Sequence, residues 1–168
     1  MTWKSERDRG FTDFVLAHRA TLVRVAALLL SGDAARAEDV VQTGLVRLYL
    51  AWPRVRPETV EAYARRCVVN AAIDDRRSPF RRRERVQANL PDVAAAESLY
   101  GDERATVALL ATLPARMRAA VVLRYVEGLS VAETADAMGC SEGTVKSQSA
   151  RGLEQLRAVF PEHAHNFV

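Results

Sequence analysis

At 168 residues and 49% apolar content, the chain is long enough for one medium or two small packed domains and too apolar to be disordered throughout. Its net charge of +3 hides a split: residues 1 to 85 carry 17 Lys and Arg against 11 Asp and Glu, and residues 86 to 168 carry 7 against 10. With no apolar run of spanning length, no signal-peptide pattern, and only Cys67, Cys140, His18, His163 and His165 as soft ligands at unsuitable spacings, membrane, secreted and metal-dependent classes are set aside. A soluble cytoplasmic protein without cofactor is expected, with both cysteines as free thiols.

Phe11, Phe14, Val15, Leu22, Val25 and Leu29 recur at helical spacing, and Ser31-Gly32-Asp33 reads as a helix stop followed by a new N-cap. The pattern resumes with Ala37, Val40, Val41, Leu45, Leu48, Tyr49 and Trp52 and ends at Pro53. Gly44 inside this second helix costs about 1 kcal/mol relative to Ala, which predicts a close neighbour there. Glu38, Asp39, Gln42 and Arg47 occupy the opposite face. A third helix starts near Pro57, carries Val60, Tyr63, Ala64, Cys67, Val68 and Ala71, and fails at Ser78-Pro79. Tyr63 lies on its apolar seam, where core packing is the expected role and base stacking the other one.

Arg76, Arg77, Arg81, Arg82, Arg83 and Arg85 then crowd together, suited either to phosphates or to a solvated helix end. Residues 86 to 103 contain no Lys or Arg, include Asp92, Glu97, Asp102 and Glu103, and read as a flexible acidic linker. Helical pattern returns near Arg104 with Val107, Leu109, Leu110 and Leu113; Pro114 opens a further helix through Met117, Val121, Val122 and Tyr125, closed by Gly128. The expected fold is all-α: two small helical domains, residues 1–85 and 104–168, joined by the linker 86–103.

Residues 130 to 157 read as a helix-turn-helix. Ser130 and Glu133 form a capping-box pattern, Val131, Ala135 and Met138 share one face, Gly139 supplies the turn, and Ser141 caps the second helix with Glu142 in its first turn. A seam of Val145, Leu153 and Leu156 leaves Lys146, Ser147, Ala150 and Arg151 outward, where a recognition helix would meet base edges. Spacing alone also allows two ordinary amphipathic helices of a bundle.

Taken in order, AEDVVQTGLVRLYLAW, PETVEAYARRCVVNAAIDDRR and LATLPARMRAAVVLRYVEGLSVAETADAMGCSEGTVKSQSARGLEQLR resemble bacterial sigma factors of the extracytoplasmic-function (ECF) group, and within it the sigma-E-like branch whose recognition helix reads GTVKSQ. The similarity runs from about residue 10 to 160 and keeps both domains in order. It implies an RNA polymerase subunit with no covalent chemistry of its own. Its partners would be core polymerase, through the beta-prime clamp coiled coil and the beta flap, promoter DNA and, as in many relatives, an anti-sigma protein.

By position, the resemblance places Asp39, Gln42, Thr43 and Arg47 on the clamp-docking face. Arg54 and Arg56 fall in the segment from Arg54 to Thr59 that is similar to the loop capturing a flipped minus-ten base, and Arg65, Arg66, Asn70, Arg76, Arg77 and Arg81 on the segment that holds the melted strand. Thr144, Lys146, Ser147, Gln148, Ala150 and Arg151 fall at the minus-thirty-five contacts. Gln148 stands where many relatives carry Arg, and Val68, Val69 and Ala71 stand where an aromatic side chain is common in the minus-ten helix. The competing class is a stand-alone helix-turn-helix repressor or activator, which would need a dimerisation surface matched to half-site spacing.

Overall fold

The structure is a computed structural model describing residues 2–77 and 101–161, all statements below being confined to them. The expected Arg81 contact, the other arginines from 82 to 85 and most of the expected linker lie outside the described residues, as do His163 and His165. Helix α1 spans Thr2–Leu29, α2 Ala34–Ala51 and α3 Val60–Arg77, with short 3-10 turns at Trp52–Arg54 and Pro57–Thr59 between the last two. The second group comprises α4 at Gly101–Ala111, α5 at Ala115–Val121 running into a π turn at Val122–Val126, α6 at Val131–Met138 and α7 at Glu142–Val159.

Local chemistry sets the boundaries. After Leu29 the backbone reverses through Ser31 and Gly32 at φ 60° and 81°, and Asp33 caps α2 by accepting from the Arg36 N–H at 3.1 Å. Pro53 and Pro57 each open a 3-10 turn, keeping the α2–α3 connection short. Helix α4 begins at Gly101, inside the segment expected to be linker.

Helices α1, α2 and α3 form a three-helix bundle whose interior contains Phe14, Leu22, Val25, Val41, Leu48, Val68 and Val69. At its open end Phe11 meets Tyr49 and Trp52 edge-on, while the Tyr49 hydroxyl donates to Asp8 Oδ1 at 2.8 Å. That bond and partial desolvation push the Tyr49 phenol above its ordinary pKa, because ionisation would set two negative charges side by side. Arg36 Nη2 reaches Asp75 Oδ2 at 2.5 Å and joins the start of α2 to the last turn of α3.

The second group packs α5 directly on α7: a Cβ on Gly152 would lie 2.7 Å from Val121 Cγ2. The π turn departs from the expected register. Tyr125, expected on the apolar seam, is 40% exposed, whereas Leu123 is fully buried. The wider turn accounts for this, since it shifts the phase of the side chains that follow it.

Buried apolar side chains form one cluster running from Phe14 through Val69 to Leu110, Val121 and Leu156, so the two helical groups share a contact. Arg118, 3% exposed, is central to it: its guanidinium donates to the carbonyls of Leu110, Ala111 and Leu113 at the end of α4, and across the divide to Leu29 O at 3.0 Å. Nearby, Gly32 approaches so closely that a Cβ would sit 2.9 Å from Val107 Cγ1. Arg24 faces Glu103 at 3.7 Å and Glu127 at 4.0 Å.

Candidate functional site

The outward face of α2 carries Asp39, Gln42, Thr43 and Arg47 in an exposed stripe, because Val40, Val41, Leu45 and Leu48 turn inward one step away. Two apolar residues that the sequence reading passed over continue it: Val46 is 50% and Leu50 67% exposed. Their spacing from Thr43 and Arg47 is helical, so a wheel drawn through Asp39 would have found them. Arg47 also approaches Asp74 of α3 at 3.5 Å, which orients its side chain along the bundle surface.

This stripe runs into a cleft of about 500 Å³ lined by Arg47, Leu50, Ala51, Arg54, Val55, Arg56, Thr59 and Tyr63. The short turns carry Arg54 and Arg56 to one mouth, both exposed. Tyr63 is half-buried: it packs on the apolar cluster and also lines the cleft, so its two expected roles are compatible here. Three guanidiniums beside an aromatic wall provide phosphate-binding donors and a stacking surface. The cleft also uses Val55 and Thr59, which belong to the expected loop from Arg54 to Thr59, and Leu50 and Ala51, which the sequence reading did not single out.

Farther along α3, Arg65 approaches Glu61 at 3.9 Å, while Arg66 and Asn70 face the second helical group. Arg66 Nη1 lies 3.4 Å from Asp136 Oδ1 on α6, and Asn70 is half-buried with its Oδ1 3.9 Å from where a Cβ of Gly139 would stand. The cleft and these two residues are thus in different environments. Arg76 and Arg77 continue the α3 backbone, and their side chains are outside the described residues. Cys67 is buried in α3, and desolvation raises its thiol pKa, as expected of an inert packing residue.

The helix-turn-helix forms as its caps require. Ser130 Oγ accepts from the Glu133 N–H at 3.0 Å and Glu133 Oε2 accepts from the Ser130 N–H at 2.7 Å. Those bonds to the charged carboxylate pull the Glu133 pKa below its ordinary value. Gly139 turns the chain at φ 63°, φ 63° being a left-handed conformation that glycine adopts without a Cβ penalty. Ser141 then caps α7 through the Thr144 N–H at 3.1 Å.

On α7, Val145, Ser149, Gly152 and Leu156 turn inward, and Lys146, Ser147, Ala150 and Arg151 all face solvent. Gln148 and Thr144 are half-buried at the edges, the Thr144 hydroxyl meeting Ser141 Oγ at 2.9 Å. The outward set combines two cations, a hydroxyl and a methyl, which suits base edges and phosphates. Among the described residues, no group of His, Cys, Asp or Glu could hold a metal ion, and no helix is long and apolar enough to cross a membrane.

Comparison with known proteins matches these two units separately. Residues 14–84 fit the Sigma-70 region 2 model and residues 103–156 the Sigma-70, region 4 model. The chain is 36% identical over 151 residues to the RNA polymerase sigma-E factor of Streptomyces avermitilis, covering 88% of this chain and 83% of that protein. It is 37% identical over 155 residues to the ECF RNA polymerase sigma factor SigL of Mycobacterium tuberculosis, covering 86% and 85%.

Among solved structures, the fold resembles the sigma factor RpoE of Bartonella quintana, crystallised with the anti-sigma factor NepR, at a TM-score of 0.69 and 21% identity over 92% of this chain and 98% of that one. It also resembles CnrH in complex with the cytosolic domain of CnrY, at 0.65 and 24% over 92% and 89%. Two matched regions in one chain, in the order of that family, with full-length relatives above 30% identity, place this chain in the sigma-70 family as an ECF-type RNA polymerase sigma factor.

Proposed function

We propose that this sigma factor divides promoter recognition between the cleft at the end of α2 and the outward face of α7, within a minus-ten unit at residues 1–85 and a minus-thirty-five unit that begins with α4 at Gly101, joined by a linker. The observation that carries this is the continuity of the α2 stripe with the arginine-lined cleft. Core polymerase docked on Asp39, Gln42, Thr43 and Arg47 would bring melted DNA to Arg47, Arg54, Arg56 and Tyr63.

In the cleft, guanidiniums hold phosphates on either side of an unstacked base while Tyr63 offers its ring. Arg65, Arg66, Asn70, Arg76, Arg77 and Arg81 would hold the strand beyond it, and Thr144, Lys146, Ser147, Gln148, Ala150 and Arg151 the upstream duplex. The polymerase core does the chemistry. This chain contributes positioning and strand capture, acting where the polymerase is, in the cytoplasm. The anti-sigma factor bound to the RpoE neighbour supports an anti-sigma partner as well.

The test is transcription from a library of genomic promoter fragments with purified core polymerase. The expected result is initiation at a subset of fragments only when the chain is added. If the chain neither binds core nor starts transcription from any fragment, yet binds a palindromic duplex tightly alone, it is a stand-alone regulator.

A further inference from the structure

We infer that the hydrogen bond between Asp8 of α1 and Tyr49 of α2 is a positioning latch for the arginine-lined cleft, holding in place the turn that carries Arg54. The latch builds on the reading of that cleft as the site of minus-ten strand capture. None of residues 4–13 is buried, so the first turns of α1 add little to the bundle interior, which begins at Phe14. Arg7, Asp8, Gly10 and Phe11 instead converge on the end of α2, from which the cleft loop departs.

Tyr49 O is the point of departure. It accepts the Trp52 N–H that closes α2, and Arg7 Nη2 reaches the same oxygen at 3.4 Å. The Arg7 guanidinium lies 4.6 Å from the centre of the Tyr49 ring, while the Tyr49 hydroxyl donates to Asp8 Oδ1 at 2.8 Å. Three residues on, the Trp52 indole is bracketed from α1. Phe11 meets it edge-on at 5.4 Å, Phe14 stands 5.8 Å away, and the backbone at Gly10 runs alongside, a Cβ there standing 3.8 Å from Cζ2. Trp52 O then accepts the Val55 N–H at 3.3 Å, closing the turn that sets Arg54 and Val55 along the cleft.

Among these contacts the Asp8–Tyr49 bond is the short one to a full charge, and such bonds are stronger than neutral pairs. The Arg7 approach to Tyr49 O is at the edge of hydrogen-bond range by comparison. The raised pKa of Tyr49 keeps its hydroxyl a donor beyond the ordinary phenol range. Without the bond, the Tyr49 ring is free to leave Phe11, and Trp52 and the turn behind it lose their backing. The cleft arginines would still attract phosphates, since that depends on charge, whereas seating an unstacked base depends on placement.

The test compares Asp8→Ala, Tyr49→Phe and Asp8→Asn, the last of which keeps an acceptor oxygen for the Tyr49 hydroxyl. In chains that also carry Trp3→Phe, Trp52 is the sole tryptophan. Acrylamide quenching of its fluorescence should increase in Asp8→Ala and Tyr49→Phe and match the parent in Asp8→Asn, with circular dichroism the same in all. With core polymerase and a promoter fragment that the parent opens, Asp8→Ala and Tyr49→Phe should slow the appearance of permanganate-reactive minus-ten thymines by about three- to tenfold. Gel retention of the closed complex and competition for core should be unchanged, and Asp8→Asn should open the fragment as the parent does.

Unchanged Trp52 quenching in Asp8→Ala, or opening slowed as much in Asp8→Asn, would overturn the latch. Loss of core binding and opening in equal measure would also count against it, as the mark of a general folding defect. Normal opening in Asp8→Ala, with slow opening in a chain carrying Arg54→Ala and Arg56→Ala, would refute the latch and leave the cleft reading standing. Normal opening in both would remove the cleft reading and the latch with it.

Discussion

Gly44 on α2 faces Val68 on α3 so closely that a Cβ there would stand 2.7 Å from the Val68 Cγ2 and 3.1 Å from its Cα and N. Helix propensity favours Gly44→Ala by about 1 kcal/mol, but the nearest obstacles include backbone, which cannot swing aside. Overpacking should therefore win, with a net loss of about 1–2 kcal/mol in denaturant unfolding. Adding Val68→Ala should recover only part of this, because the Cα and N contacts remain. A Gly44→Ala protein as stable as the parent would contradict the close approach.

Ser130→Ala removes one half of the capping box and should cost about 1 kcal/mol of helix-turn-helix stability, read by thermal unfolding. The depressed pKa of Glu133 also sets a direction in pH. Its contribution is complete above the ordinary carboxylate value and declines as pH falls through the lower folded-state value. Glu133→Gln should remove this component, so the parent and variant should converge in stability toward strong acid. A constant difference between them across the acid range would assign the cap to something other than the charge.

Arg151→Ala should weaken binding of the holoenzyme to its preferred minus-thirty-five duplex by about 10- to 100-fold if the guanidinium reads a base, with discrimination lost at one position. Lys146→Ala should lower affinity for all sequences alike and reduce the salt slope by about one if the contact is to phosphate. Competition for core polymerase should be unchanged in both variants. Equal loss of core binding would indicate a folding defect rather than lost contacts.

Arg54→Ala with Arg56→Ala should slow strand opening at the minus-ten element more than it affects closed-complex binding. Permanganate reactivity of unpaired thymines would report the former and gel retention the latter. Each lost charged hydrogen bond is worth about 1.5–3 kcal/mol, so roughly a tenfold effect or more is expected for the pair. Unchanged permanganate reactivity would remove the cleft from the melting step.

Asp39→Arg should reduce capture by core polymerase in a competition assay, and Leu50→Glu should do the same if the exposed apolar residue belongs to the docking stripe. Both positions are outside the core, so circular dichroism should report an unchanged fold. Undiminished competition by either variant would exclude that residue from the interface.

The parts legible in the sequence were those governed by short-range chemistry. Asp33, Ser130 and Ser141 cap where their spacing indicated, Gly139 turns where a left-handed residue was needed, and Gly44 marks a close approach. What required coordinates depended on distant partners. Helical spacing puts Arg118, three and four residues before Val121 and Val122, on the apolar seam, but nothing local says what would satisfy its guanidinium there, because the carbonyl it shares with the first bundle belongs to Leu29, 89 positions away. The pairing of Arg66 with Asp136 is equally nonlocal. The cleft was half visible: the loop from Arg54 to Thr59 could be named, but its closure against Leu50 and Ala51 arises from the way two 3-10 turns fold back.

The π turn at Val122–Val126 acts on the orientation of everything after it. Each residue of an α-helix advances the chain by about 100°, so rewinding this segment as regular α-helix at unchanged length would swing Leu129 and the following helix-turn-helix by nearly a third of a revolution about the α5 axis. The packing of Gly152 against Val121 opposes such a rotation. The aim of α7 is thus set by one wide turn two elements earlier in the chain, at residues that are not among its outward-facing side chains.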